Sequence, residues 1–292
     1  METISSFISP FFMPAFFLIT GFCSNFDKEF FPFIKNNFKN LILLGLILFI
    51  IKVFLSALLT LDINSFSTVL SLPKILIGRG CYYWFLSALF IAKIIFYIIN
   101  KRIDDVKLKL IFSFLLPIGL FFLDQEQKIY NFWYFEQAIY LLPFIAIGNC
   151  YKNKEHIFNN KYTIISLFVY LLLIFILKDN VDLPSVTMII NLTDKLSLLL
   201  YFMISFIGTI ALLSIARAIN RNRILQYAGR QSIIIYTMHI ELLLFFEDQF
   251  RYLVMNFHWF WWYLIVLTFT FISTLVIAYI LNSNIFKFIL LK

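Results

Sequence analysis

An all-α bundle of membrane-spanning helices is the fold this sequence predicts, and three observations carry that prediction. Of 292 residues, 62% are hydrophobic and only 14% charged, more apolar surface than a water-soluble domain of this length can bury. The apolar residues fall in runs near the roughly 20 residues a helix needs to cross a hydrocarbon core. The basic residues fall mostly between those runs, so the +8 net charge reads as a topology signal rather than a nucleic-acid surface. Thirty-eight Phe against eight Gly also argue against a barrel of short alternating strands.

About nine spans are expected, near residues 7–26, 41–60, 82–100, 108–123, 133–150, 161–178, 197–216, 229–247 and 258–282. Residues 1–292 are read as a single transmembrane domain. Pro14, Pro117 and Pro143 fall inside spans; a membrane helix tolerates proline where a neighbour satisfies the freed backbone group. The first span has no basic stretch before it and no small-residue cleavage site after it, so it reads as a span rather than a signal peptide.

The loops divide by charge. Sixteen of the 24 Lys and Arg residues lie in the first, third, fifth and seventh loops and the C-terminal tail, against six in the alternate loops. This bias predicts a cytoplasmic C-terminus and an outside N-terminus. An outside N-terminus is what a ten-span, N-inside protein would show if it had lost its first helix. Aromatic residues are expected to form belts at the outer helix ends: Tyr82, Tyr83 and Trp84; Trp133 and Tyr134; and Trp259, Trp261, Trp262 and Tyr263. The longest outer loops, near 61–81 and 179–196, are too short for separate domains. No repeat of fixed period is evident, which weighs against an inverted-repeat transporter.

Within the apolar runs, a few polar residues need a partner or a role. Gly229 is expected to open the eighth span, which then carries Ser232, Tyr236 and His239 at i, i+4 and i+7 on one face. His239 lies roughly 15 Å along such a helix, near the midplane of a core roughly 30 Å thick. A histidine there serves proton transfer or substrate orientation, or it makes an interhelical hydrogen bond that locks packing. Lys52 is also expected near mid-bilayer, paired with a carboxylate or facing a cavity. Lys93 is expected to snorkel. Glu136 is placed at the outer interface, where solvation accounts for it. Glu241 lies opposite Ser232 on its helix, and both Lys52 and Lys93 are open to it as partners. Cys23, Cys81 and Cys150 are too scattered for a disulfide framework and read as small packing residues. His156, His239 and His258 show no ligand spacing, so no metal site is expected, and His156 and His258 read as surface residues.

Four segments together resemble the membrane-bound acyltransferase 3 family, which includes polysaccharide, fucose and peptidoglycan O-acetyltransferases. Phe12-Met13-Pro14-Ala15-Phe16-Phe17-Leu18-Ile19-Thr20-Gly21 resembles its second-helix signature. Tyr83-Trp84-Phe85-Leu86 resembles a Trp-Phe-Leu helix start. Leu142-Pro143-Phe144-Ile145-Ala146-Ile147-Gly148 resembles a Leu-Pro-Phe-x-x-x-Gly helix. Gly229 through His239 resembles a late Gly-x-x-Ser-x-x-x-Tyr-x-x-His helix. The four occur in the family's order. The sequence departs from the pattern in lacking the first helix with its histidine and in carrying Phe12 where His is usual. It also has Lys35 and Lys39 where the family has an arginine-rich turn; lysine lacks the bidentate guanidinium fork.

The resemblance implies a function. The family takes an acyl group, usually acetyl, from acyl-CoA at the cytoplasmic face and delivers it to a hydroxyl of a glycan or lipid-linked sugar at or beyond the outer face. Acyl-CoA, acetyl-CoA by default, is then a co-substrate and no cofactor is bound. The implied setting is the bacterial inner membrane, with membrane lipids as further partners and no nucleic acid. His239, Tyr236 and Ser232 become the catalytic candidates. Lys35, Lys39, Lys52, Arg221, Arg223 and Arg230 become candidates for the donor, because cations suit the phosphates of CoA. The alternative for the arginine cluster, including Arg217, is positive-inside topology with anionic lipid contact. Two other functions fit the same residues. One is a transporter or flippase for a lipid-linked sugar, with Lys52 and His239 lining a polar path. The other is a catalytically dead remnant or partner subunit, in keeping with the absent first-helix histidine.

Overall fold

The computed structural model describes residues 2–60, 83–124, 132–152, 161–177, 195–219, 222–251 and 259–282. Arg221, Cys81, His156 and His258 lie outside the described residues, as do the outer loop near 61–81 and residues 179–194 of the other long outer loop. Among the described residues every regular element is helical. The α-helices are α1 (Glu2–Cys23), α2 (Phe30–Asn37), α3 (Leu44–Thr60), α4 (Trp84–Arg102), α5 (Val106–Asp124) and α6 (Phe135–Cys150), followed by α7 (Lys161–Leu177), α8 (Lys195–Ile219), α9 (Arg223–Arg230), α10 (Ser232–Gln249) and α11 (Trp259–Leu281). A π-helical stretch, Phe38–Leu43, joins α2 to α3, and a 3-10 turn, Phe132–Tyr134, leads into α6.

A helix stands at each of the nine predicted spans. Five stretches among the described residues are long and apolar enough to cross a membrane: Phe30–Leu58, Trp84–Arg102, Val106–Leu123, Leu198–Ile219 and Trp261–Leu281. Two of the other helices are limited by length or by charge. Helix α6 has 16 residues, and α10 carries Glu241, Glu247 and Asp248. The outward faces of α5, α7 and α11 display large apolar side chains, among them Leu123, Phe168, Phe175 and Ile272. In water that surface would aggregate; hydrocarbon tails solvate it.

The helices form two compact units, Met1–Ile34 with Ser87–Asn220, and Lys35–Leu86 with Arg221–Lys292. In the first, α6 is the central helix, buried from Glu136 through Ala146 and packed against α1 and α5. It is apolar almost all round, as an enclosed helix must be. Gly21 on α1 and Gly148 on α6 let the two backbones meet. A methyl at Gly21 would collide with the Ile145 carbonyl, and one at Gly148 with the Leu18 carbonyl. Small residues at such crossings are how membrane helices gain close van der Waals contact.

Pro14 cannot donate a hydrogen bond to the Pro10 carbonyl one turn earlier. Ser205 of α8 compensates: its hydroxyl donates to that carbonyl at 2.6 Å in a buried setting. Gly208, one turn further along α8, gives room to Tyr170 of α7 and Phe11 of α1. The segment after α1 is held on α4. Tyr97 donates its hydroxyl to the Lys28 carbonyl (2.8 Å), and its ring stacks on Phe33 at 4.6 Å between centroids. The Lys93 ammonium stands 6.0 Å from the centroid of the same Phe33 ring, so it ends on an aromatic face.

Three placements differ from the sequence reading in this unit. Glu136 is buried, with 3% of its surface exposed, rather than solvated at an interface. Trp133 and Tyr134, expected inside the fifth span, instead occupy left-handed backbone (φ 50° and 58°) ahead of α6 and are half-buried. Non-glycine residues in that region cost of order 1–3 kcal/mol each and persist only where surrounding structure holds them. Cys23, expected to pack between helices, is exposed at the end of α1.

In the second unit, α10 packs against α3 and α11. Leu48, Ile234, Met238, Leu242, Ala278 and Leu281 make its apolar core. Polar bonds pin both ends of the α10–α11 pair. Asn282 donates its side-chain amide to the Gln231 side-chain oxygen (2.7 Å), and Trp262 donates its indole N–H to the Phe250 carbonyl (2.9 Å).

Candidate functional site

The polar stripe on α10 is assembled differently from the sequence expectation at its start. Gly229 does not open this helix. Asn222 caps the short α9 first, its side-chain oxygen accepting from the backbone N–H of Ile224 (2.9 Å) and Leu225 (3.2 Å). The chain then breaks at Gln231, whose φ of −101° and ψ of 11° leave the helical region, and α10 begins at Ser232. Asn is among the strongest N-cap residues, so the cap two turns upstream takes the start from glycine. His239 therefore lies roughly 10 Å into α10 rather than 15 Å.

Ser232, Tyr236 and His239 share one helix face and are all half-buried. The His239 Nδ1 lies 2.8 Å from the Tyr236 carbonyl and 3.1 Å from that of Ile235. Carbonyl oxygens only accept, so in the neutral ring Nδ1 carries the proton and Nε2 carries the lone pair. Among the described residues no group hydrogen-bonds Nε2. The Tyr236 ring sits 6.0 Å from the imidazole, 5.2 Å from Phe85 and 6.3 Å from Tyr83, measured between centroids. Tyr83, which is buried, donates its hydroxyl to the Thr237 carbonyl at 3.3 Å. The segments Tyr83–Leu86 and Gly229–His239, far apart in sequence, thus meet around Tyr236.

On the opposite face of α10, Glu241 settles its choice of partner. Its carboxylate lies 2.6 Å from the Lys52 ammonium on α3, with side-chain exposures of 16% and 4%. Lys52 follows Leu48 by one turn and Glu241 follows Met238, so the pair extends the buried apolar stripe between the two helices. Lone charges are rarely held in such a place, and pairing is what permits both. Lys52 is consequently committed to a carboxylate rather than presented to solvent.

The other basic candidates are surface residues. Lys35 on α2, Lys39 in the π-helical stretch, and Arg223 and Arg230 on α9 are exposed. Among the described residues none of the four makes an ion pair. Two features of the structure were not anticipated. The π-helical stretch around Lys39 widens the helix locally, a distortion frequent at functional sites and without a sequence signature. Buried Glu136, behind the left-handed turn, is a carboxylate with an unusual address; the aromatic pair Trp133–Tyr134 marked its neighbourhood without revealing its burial.

Among the described residues, no group of three His, Cys, Asp or Glu side chains is placed to hold a metal ion. A family model described as an acyltransferase domain matches residues 1–279 of the chain. No curated protein and no solved structure matches.

Proposed function

We propose, from the premise that this chain belongs to the acyltransferase 3 family of membrane acyltransferases, that it moves an acyl group from acyl-CoA to a sugar hydroxyl. Acetyl is the default acyl group, and the acceptor is a cell-surface glycan or lipid-linked sugar. Both follow from the family's chemistry. The observation that carries the reading on this chain is His239, whose Nδ1 is fixed by two backbone carbonyls while Nε2 keeps its lone pair. That is the tautomer a general base needs.

In this mechanism Nε2 of His239 takes the proton from the acceptor hydroxyl as its oxygen attacks the thioester carbonyl. The new C–O ester bond forms, the C–S bond breaks, and CoA leaves as a thiolate that takes up a proton. Tyr236 and Ser232 lie on the same face and orient the acceptor. Exposed Lys35, Lys39, Arg223 and Arg230, with Arg221, bind the phosphates of CoA. Lys52 supports the site through its pair with Glu241, which anchors α10 on α3. The setting is a bacterial inner membrane with the C-terminus cytoplasmic.

The test uses membranes containing the chain, labelled acetyl-CoA and the glycan fraction of the same cells. Label should enter glycan only when the chain is present. His239→Gln should lower the rate about 10²–10⁴-fold, the usual contribution of a general base, with unchanged protein level in the membrane. Wild-type rate in that variant would make His239 a packing residue. Absence of any dependence on acetyl-CoA, and on a longer-chain acyl-CoA tried in the same way, would reject acyl transfer.

A further inference from the structure

The first unit contains a cavity of about 540 Å³ that the acyl-transfer reading does not use. It lies among α1, α5, α6 and α8, with Leu110, Phe114, Phe144, Ile147, Phe206 and Ile210 in its walls. Tyr151, just past the end of α6, is the polar residue of the lining. The volume falls within the roughly 300–1,000 Å³ typical of small-molecule sites. The walls, however, offer hydrocarbon and aromatic faces rather than the convergent polar groups that orient a sugar or nucleotide. Met203 and Phe206, both exposed, place one side of the cavity at the outer surface of the unit.

The Tyr151 end is different in character. Lys152 follows Tyr151 directly and donates to the Ser24 carbonyl at 3.4 Å. Lys109, adjacent to the lining residue Leu110, donates to the Asn100 side chain at 2.8 Å and lies close enough to Cys150 to act on it electrostatically. Lys101 donates to the Asp27 carbonyl at the same end of α1 and α4. The nearby carboxylate of Asp105 is turned onto the start of α5, where it accepts from the backbone N–H of Lys107 (2.6 Å) and Leu108 (3.4 Å). Asp27, Glu29 and Asp104 lie in the same turns, and with Asp105 these four carboxylates are outnumbered by Lys28, Lys101, Arg102, Lys107, Lys109 and Lys152; a negative group near a helix N-terminus, as Asp105 is, is also partly neutralised by the helix. By the loop charge bias this is the cytoplasmic end of the unit.

We propose that this cavity is a binding site for one anionic phospholipid of the cytoplasmic leaflet. A hydrocarbon chain fills the apolar space, and the headgroup phosphate rests against Lys109 and Lys152. The combination of an apolar slot between helices with cations at its cytoplasmic mouth selects for a molecule that has both parts. A basic pocket between membrane helices is a general way to hold an acidic headgroup. No residue of its lining belongs to the polar stripe of α10, and the proposal does not depend on the reaction proposed there.

The test places the full chain in nanodiscs. The probes are phosphatidylglycerol and phosphatidylcholine that carry the same diazirine-bearing chain. Crosslinks from phosphatidylglycerol should map to Leu110, Ile147 and Phe206, and should exceed those from phosphatidylcholine roughly thirtyfold, given two lysines near the headgroup. Lys109→Gln with Lys152→Gln should bring the two lipids level. Ile147→Trp, which fills the slot, should abolish crosslinking there; Leu110→Trp gives the same readout from α5 if the first variant fails to fold. Equal labelling by both lipids in the unaltered chain would overturn the proposal, as would labelling that persists with the slot filled. Displacement of phosphatidylglycerol by an equal amount of palmitoyl-CoA would also overturn it, by assigning the slot to the acyl donor.

Discussion

Two pairs of helices carry the four family segments, and they are joined by opposite means. In the first unit, α1 and α6 meet backbone to backbone, at Gly21 against Ile145 and Gly148 against Leu18. In the second, the Tyr83–Leu86 segment meets α10 through rings and a hydroxyl, and α3 meets α10 through apolar packing and the Lys52–Glu241 ion pair. The first contact has no adjustable part, because a carbonyl occupies the space any side chain would need. The second is built from side chains that rotate and from charges that depend on each other. The difference suits a scaffold in the first case and a polar site in the second. Strong, specific close packing is the main attraction available between helices in lipid, whereas buried polar groups there are costly and tend to mark function.

The sharpest way to break the second junction is to remove one charge. Glu241→Ala leaves Lys52 buried without its carboxylate and should destabilise the protein by about 3–5 kcal/mol. The measurement is the melting temperature of the purified protein in detergent. Lys52→Met combined with Glu241→Leu should recover most of that loss, because replacing both partners removes the charge-burial cost. If the double variant is as unstable as the single one, the pair does more than hold the helices.

The next largest effect belongs to the glycine crossing. Gly148→Ala forces α1 and α6 apart and should cost about 1–3 kcal/mol, the usual range for overpacking. Gly229→Ala is the internal control: nothing lies within 4 Å of the added methyl, and α9 should be unchanged or slightly more stable. Equal melting temperatures for Gly148→Ala and the unaltered chain would show that the two backbones are not in contact.

The smallest effect tests the proline compensation in the first unit. Ser205→Ala should cost about 1 kcal/mol, the net worth of one buried hydrogen bond, because the Pro10 carbonyl then loses its donor. Adding Pro14→Ala in that background should remove most of this cost, since an alanine N–H at this position restores the donor within α1. Additive losses in the double variant would mean that Ser205 and Pro14 act independently.

Apolar runs of bilayer length determined where the long helices lie, and each of the nine expected spans is occupied by one. That information is local, so composition and length sufficed. The family, whose model matches residues 1–279, was also legible, and so was the shared face of Ser232, Tyr236 and His239, since it depends only on helix period. Several features depended on what lies beside a helix. Glu136 looked solvated because its position in the span placed it at the outer interface, yet α6 is enclosed from that residue onward. Glu241 had two lysines open to it, and only the packing of α3 on α10 chose Lys52. The start of α10 moved from Gly229 to Ser232 because Asn222 caps α9 first. His239 turns its Nδ1 onto carbonyls of its own helix, a rotamer chosen beside the Tyr236 ring and one that leaves Nε2 its lone pair. Sequence alone determined which segments are helices and which of their faces are polar, because period and hydropathy are properties of a single chain segment. The tertiary structure decided which polar residues are paired, buried or available, because those properties belong to neighbours that the chain brings together only when it folds.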